Sequence, residues 1–124
     1  MISFKIDSLK NMGPNLKTFA EFLRLSGADD EDIFASKLVS CELITNVIRH
    51  GGDEAEFTGS LSNETITITV TAESFKNLDI SRRPAPDVFA ESGRGLYIVK
   101  SICSDIERGE RGEIKVVIKR NCNK

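Results

Sequence analysis

Glu42 and Asn46 stand four residues apart in the run Cys41-Glu42-Leu43-Ile44-Thr45-Asn46-Val47-Ile48-Arg49-His50. On a helix that spacing stacks a carboxylate and a carboxamide one turn apart, and Arg49 and His50 extend the same face by a further turn. The amide oxygen suits Mg²⁺, a hard cation that prefers oxygen and phosphate ligands. The carboxylate suits the orientation or deprotonation of an attacking hydroxyl or water. The plain alternative is a solvated helix face, because Glu-x-x-x-Asn is a common helical pattern. About 50 residues further on comes Ser92-Gly93-Arg94-Gly95-Leu96-Tyr97-Ile98-Val99. A Gly-x-Gly turn running into an apolar helix offers bare backbone N–H groups to phosphate, and the helix N-terminus adds its partial positive charge. A glycine-rich loop that merely turns the chain looks the same. Neither G-x-x-x-x-G-K-[ST] nor G-x-G-x-x-G after a strand occurs, which removes the P-loop and Rossmann sites.

Elements must hold these residues in place. Ile2-Ser3-Phe4-Lys5-Ile6 alternates apolar and polar and reads as a half-buried strand. A turn at Asn11 to Pro14 opens a helix at Pro14 or Asn15, with Leu16, Phe19, Ala20 and Leu23 on one face and Gly27 as its stop. The acidic run Asp29-Asp30-Glu31-Asp32 marks the start of a longer helix, expected from about Asp30 to His50, which Gly51-Gly52 ends. Leu38, Cys41, Ile44, Thr45 and Ile48 are its expected core stripe. Ala55–Leu61 and Thr65–Thr71 read as a hairpin around Ser62-Asn63-Glu64, and the strict alternation of the second strand buries one face. Glu73 to Ser92 has two prolines and no period, and reads as a loop. A helix over Leu96 to Cys103 and a strand pair, Asp105 to Arg108 and Glu113 to Lys119, complete the chain. The order β-α-α-β-β-loop-α-β-β describes an α+β two-layer sandwich: an antiparallel or mixed sheet with helices on one face.

Composition narrows the functions. The 124 residues suit one domain, 1–124; 40% are hydrophobic and 29% charged, enough for a real core. The net charge of -2 leaves no basic footprint, so direct nucleic-acid binding is not expected. A single histidine excludes a multi-histidine metal site. The three cysteines, Cys41, Cys103 and Cys122, form no C-x-x-C pair, and their odd number without a signal peptide points to a reducing cytoplasm. Cys41 and Cys103 read as small core residues. No apolar run is long enough to cross a bilayer. Arg94, Arg82 and Arg83 are within reach of a phosphate or act as surface charges. His50 also fits a simple helix-end role. Phe19, Phe22 and Leu23 read as core, with a partner surface as the alternative.

The two motifs in this order, with a hairpin between them, resemble the GHKL (histidine-kinase-like) ATPase superfamily over nearly the whole chain. Glu42-Leu-Ile-Thr-Asn46-Val-Ile-Arg-His50-Gly51 is similar to that family's N box, and Ser92–Val99 to its second glycine box at the end of the ATP lid. The small size and early helix pair are most similar to bacterial anti-sigma-factor serine/threonine kinases. The resemblance implies the Bergerat fold, ATP and Mg as cofactors, and phosphorylation of a serine or threonine on a small anti-anti-sigma (STAS-type) partner. It also implies sequestration of a sigma factor by a homodimer. It makes Glu42 the base, Asn46 the Mg²⁺ ligand, and Arg49, His50, Ser92, Gly93, Arg94, Gly95 and Leu96 the nucleotide-binding set.

The chain departs from the pattern at one end. The family's first glycine box reads Asp-x-Gly-x-Gly, and its Asp accepts a hydrogen bond from the adenine amino group. Here the stretch is Ala72-Glu73-Ser74-Phe75-Lys76, and a supporting Gly-Thr in the last hairpin is Gly112-Glu113. Alanine cannot accept that bond, a loss of roughly 1–3 kcal/mol or about one to two decades in affinity. Glu73, on the opposite strand face, substitutes only through a bulge. The alternative function is therefore a non-catalytic partner-binding module of the same fold that has lost ATP.

Overall fold

The computed structural model of the protein describes residues 1–48, 54–72, 103–109 and 111–120. Its elements are β1 (Ile2–Ile6), α1 (Leu9–Leu25), α2 (Asp30–Asn46), β2 (Ala55–Leu61), β3 (Thr65–Thr71), β4 (Asp105–Arg108) and β5 (Glu113–Lys119). The five strands form one antiparallel sheet in the order β1-β2-β3-β5-β4. α1 packs against α2 and β1, and α2 against β3, so both helices cover one face. This is the expected α+β sandwich, and among the described residues the sheet is wholly antiparallel.

Alternation decides which face is covered. Ile66, Ile68 and Val70 of β3 are fully buried, as are Ile114 and Val116 of β5 and Phe57 of β2. Thr65, Thr67, Thr69 and Thr71 lie half-buried on the other face, as a period of two requires. The β2–β3 turn is held by Ser62, whose hydroxyl accepts from Thr65 N–H (3.1 Å) while its own N–H donates to Thr65 O (2.8 Å).

α1 begins earlier than Pro14. Ser8 caps it: Ser8 Oγ accepts from Asn11 N–H (3.3 Å) and Asn11 Oδ1 accepts from Ser8 N–H (3.4 Å). This is a reciprocal box with Asn in the usual Glu position. Pro14 therefore lies inside the helix. It lacks an N–H, but the cap has already started the helix, and Asn15 Nδ2 bonds back to Asn11 O (2.9 Å). The expected stop holds. Gly27 adopts φ 101°, Ala28 N–H reaches Leu23 O (3.0 Å) and Gly27 N–H reaches Arg24 O (3.1 Å), a Schellman closure.

α2 starts where the acidic run places it, with Asp29 Oδ1 accepting from Asp32 N–H (2.9 Å). It ends at Asn46, and Val47–Ile48 continue as a wider π-type turn; Arg49 and His50 lie outside the described residues. Its core stripe also differs from expectation. The fully buried positions are Ser36, Val39, Ser40, Leu43 and Ile44, whereas Leu38, Cys41, Thr45 and Ile48 are only half-buried. The helix packs on both α1 and β3, and two of its fully buried positions are the small serines Ser36 and Ser40.

Phe19 and Leu23 are fully buried and Phe22 half-buried, so α1's aromatic face is core. The Phe19 ring meets Phe57 edge-on at 4.9 Å and lies over Gly59. A β-carbon at Gly59 would overlap Phe19 Cε1 and stand 2.9 Å from Cζ. Gly59→Val is therefore expected to destabilise the protein by about 1–3 kcal/mol, read by urea denaturation. A midpoint equal to wild type would show that α1 is free to move off the sheet.

Candidate functional site

Asn46 occupies the last turn of α2, beside the fully buried Val47. Asn46 is 8% exposed, one of four buried polar or charged residues among the described ones, with Asp32, Ser36 and Ser40. Ser36 Oγ donates to Asp32 O (2.8 Å). Asn46 sets a carboxamide at the border of the core, where most of its water is lost. Glu42, one turn earlier, is half-buried. The structure thus brings the two chemistry-bearing residues together on the edge of α2 that borders the core.

The adjacent face of α2 is held by a contact with α1. Thr45 Oγ1 donates to Met12 Sδ (3.8 Å), and Cys41 Sγ lies 3.9 Å from Thr45 Oγ1. These residues alternate with Glu42 and Asn46 along the last turns, so α1 fixes the rotation of the helix about its axis.

Ala72 follows β3 on its inward face, 4% exposed, in one core cluster with Val47, Val70 and Ile114. Its N–H donates to Gly112 O (2.9 Å), and Gly112 takes φ 85° to turn into β5. The two positions that depart from the family pattern are therefore direct neighbours in space, 40 residues apart in the chain. Glu113 does not restore an acceptor beside Ala72. It pairs with Thr71, so its side chain leaves from the other face of the sheet, and its carboxylate packs over Gly109. The surroundings of Ala72 among the described residues are apolar.

Ser92, Gly93, Arg94, Gly95 and Leu96, the Glu73–Ser92 loop with Arg82 and Arg83, Glu73 itself and Cys122 all lie outside the described residues. Among the described residues no cluster of three or more His, Cys, Asp or Glu is arranged to hold a metal. No helix among them is long and apolar enough to cross a membrane.

Cys103, just before β4, is half-buried, and burial pushes its thiol up to about 12 from 9.0. The folded pKa lies above the unfolded one. The stabilisation from keeping this thiol neutral is therefore complete below about pH 9 and is lost as pH rises towards 12. A Cys103→Ser variant is expected to lose less stability than wild type between pH 8 and 11, read as melting temperature against pH; parallel curves would contradict the burial of the thiol.

A search of curated proteins finds no match. A family model described as histidine kinase-like ATPase domain matches residues 7–119, from the residue before the α1 cap to the last residue of β5. The match takes in both helices, the whole of β2 to β5 and the pair Glu42/Asn46. With this match over most of its length and a two-layer sandwich of the expected kind, this chain belongs to the histidine kinase-like ATPase family.

Proposed function

We propose that this protein is a regulatory histidine-kinase-like ATPase domain of the anti-sigma-factor type. It acts as one domain over residues 1–124 in the cytoplasm and phosphorylates a serine or threonine on a small anti-anti-sigma partner. The observation that carries the nucleotide reading is the Glu42/Asn46 pair: a nearly buried amide, 8% exposed, one helical turn from a half-buried carboxylate. In this reading the Asn46 oxygen ligates Mg²⁺, which neutralises phosphate charge when bound. Glu42 takes the proton of the partner hydroxyl as it attacks the γ-phosphate. Arg49, His50, Ser92, Gly93, Arg94, Gly95 and Leu96 surround the phosphates.

One observation favours a second reading. Ala72 and its apolar surroundings provide no acceptor for a purine amino group, which fits a partner-binding module that has given up ATP. Thermal unfolding with Mg²⁺·ATP separates the two. A ligand at about 100 times its Kd adds about 2.7 kcal/mol. The kinase reading expects a stabilisation that chelation of Mg²⁺ removes, and Glu42→Gln should keep it while lowering phosphoryl transfer by about 10²–10⁴. No shift at millimolar ATP leaves the partner-binding module.

A further inference from the structure

The Arg120 guanidinium joins the start of α2 to the start of β3. Its Nη1 donates to Ser62 O in the β2–β3 turn (2.6 Å), and its Nη2 donates to Gly27 O in the link before α2 (3.1 Å). From that end α2 packs on β3, and its buried residues run from Asp32 to Asn46. The 17 residues of the helix rise about 25 Å and the 7 of the strand about 23 Å. The two elements therefore also finish together. Asn46 closes the helix, and Ala72 is the first residue past the strand. A nucleotide whose phosphates reach Asn46 meets the sheet beside Ala72.

Ala72 offers a base edge neither kind of group that could read it. Its methyl side chain accepts no hydrogen bond. Its N–H already donates to Gly112 O (2.9 Å), so no donor is left there. Glu113 opposes Thr71 and leaves from the far face, against Gly109. Val70 and Ile114, paired one step back along the same two strands, are fully buried and apolar. Adenine carries an amino donor where guanine carries a carbonyl acceptor. At Ala72 the amino group finds no acceptor and the carbonyl finds no donor, so both bases are left unread in the same way.

We propose that this site takes purine nucleoside triphosphates without distinguishing adenine from guanine. The inference rests on the nucleotide reading above and names the class of nucleotide that the same site accepts. An apolar floor discriminates weakly between ligands of one shape, whereas a placed hydrogen-bonding group discriminates strongly. Both purines gain alike from covering Ala72, Val70 and Ile114.

The test uses the full chain and a ribose-labelled fluorescent ATP, displaced by Mg²⁺·ATP or by Mg²⁺·GTP. The two dissociation constants should agree within about fivefold, and Asn46→Leu should weaken both by at least about tenfold. A preference above about fivefold for either nucleotide overturns the inference and leaves the nucleotide reading standing. Equal constants that Asn46→Leu does not change also overturn it, since both nucleotides then bind away from this site. Binding of neither at millimolar concentration removes the nucleotide reading itself, and the inference falls with it.

Discussion

Asn46→Leu is expected to raise the melting temperature of the free protein and to abolish its response to Mg²⁺·ATP. The two effects have one cause. Asn46 is 8% exposed, so the free fold holds an amide that has given up most of its water, whereas an apolar side chain is favoured by the same burial. Leucine is close in size and removes that group. In a domain of this length each kcal/mol corresponds to about 3–5 °C. The same substitution deletes the oxygen proposed to hold Mg²⁺, and affinity should fall at least tenfold, about 1.4 kcal/mol. A trade of stability for function is the usual signature of a binding group held ready in a half-dry site. Differential scanning calorimetry with and without Mg²⁺·ATP reads both effects. A lowered melting temperature in the free protein, or an undiminished ATP response, removes Asn46 from the site.

Ala72→Asp should act in the opposite sense. Ala72 is 4% exposed among Val47, Val70 and Ile114. A carboxylate there loses water and finds no cation or donor among the described neighbours, so the free protein is destabilised by several kcal/mol or takes up a proton. On the proposed nucleotide reading, an adenine amino group supplies the missing partner. ATP affinity should rise about 10- to 100-fold, the equivalent of one charge-assisted hydrogen bond. GTP carries a carbonyl in place of that amino group and should gain nothing. Isothermal titration of both nucleotides against wild type and variant gives the ratio. Ala72→Asn, which adds an acceptor without a charge, covers the case in which the aspartate variant fails to fold. Equal gains for ATP and GTP, or no gain for either in a folded variant, would mean that the base does not lie against Ala72.

Much of this molecule was legible in the chain itself because the signals are local. The bounds of β2 and β3 follow from alternation over seven residues each, together with the Ser62 turn. The start of α2 follows from Asp29 and the acids of its first turn, which act on backbone N–H groups within three residues. The pairing of Glu42 with Asn46 follows from helical geometry alone. α1 was misread at its start because Pro14 is a strong local signal for a first turn, while Ser8 and Asn11 form a cap without the usual Glu.

Tertiary packing decided what those residues face. α2 packs against both α1 and β3, and its fully buried positions include Ser36 and Ser40, which hydropathy counts as polar. Its apolar periodicity therefore pointed to the half-buried Leu38, Cys41, Thr45 and Ile48. Hydropathy had also set Asn46 on a face apart from the core, and the packed helix leaves it only 8% exposed. Likewise the chain shows an alanine at 72 and a Gly-Glu at 112–113 as separate departures. The register of β3 on β5 joins them through one backbone hydrogen bond and sends Glu113 to the far face. Residue types and their spacing set the available chemistry; burial and long-range strand register, which no local window contains, determined which polar groups lie at the core's border and which acids stay out of reach.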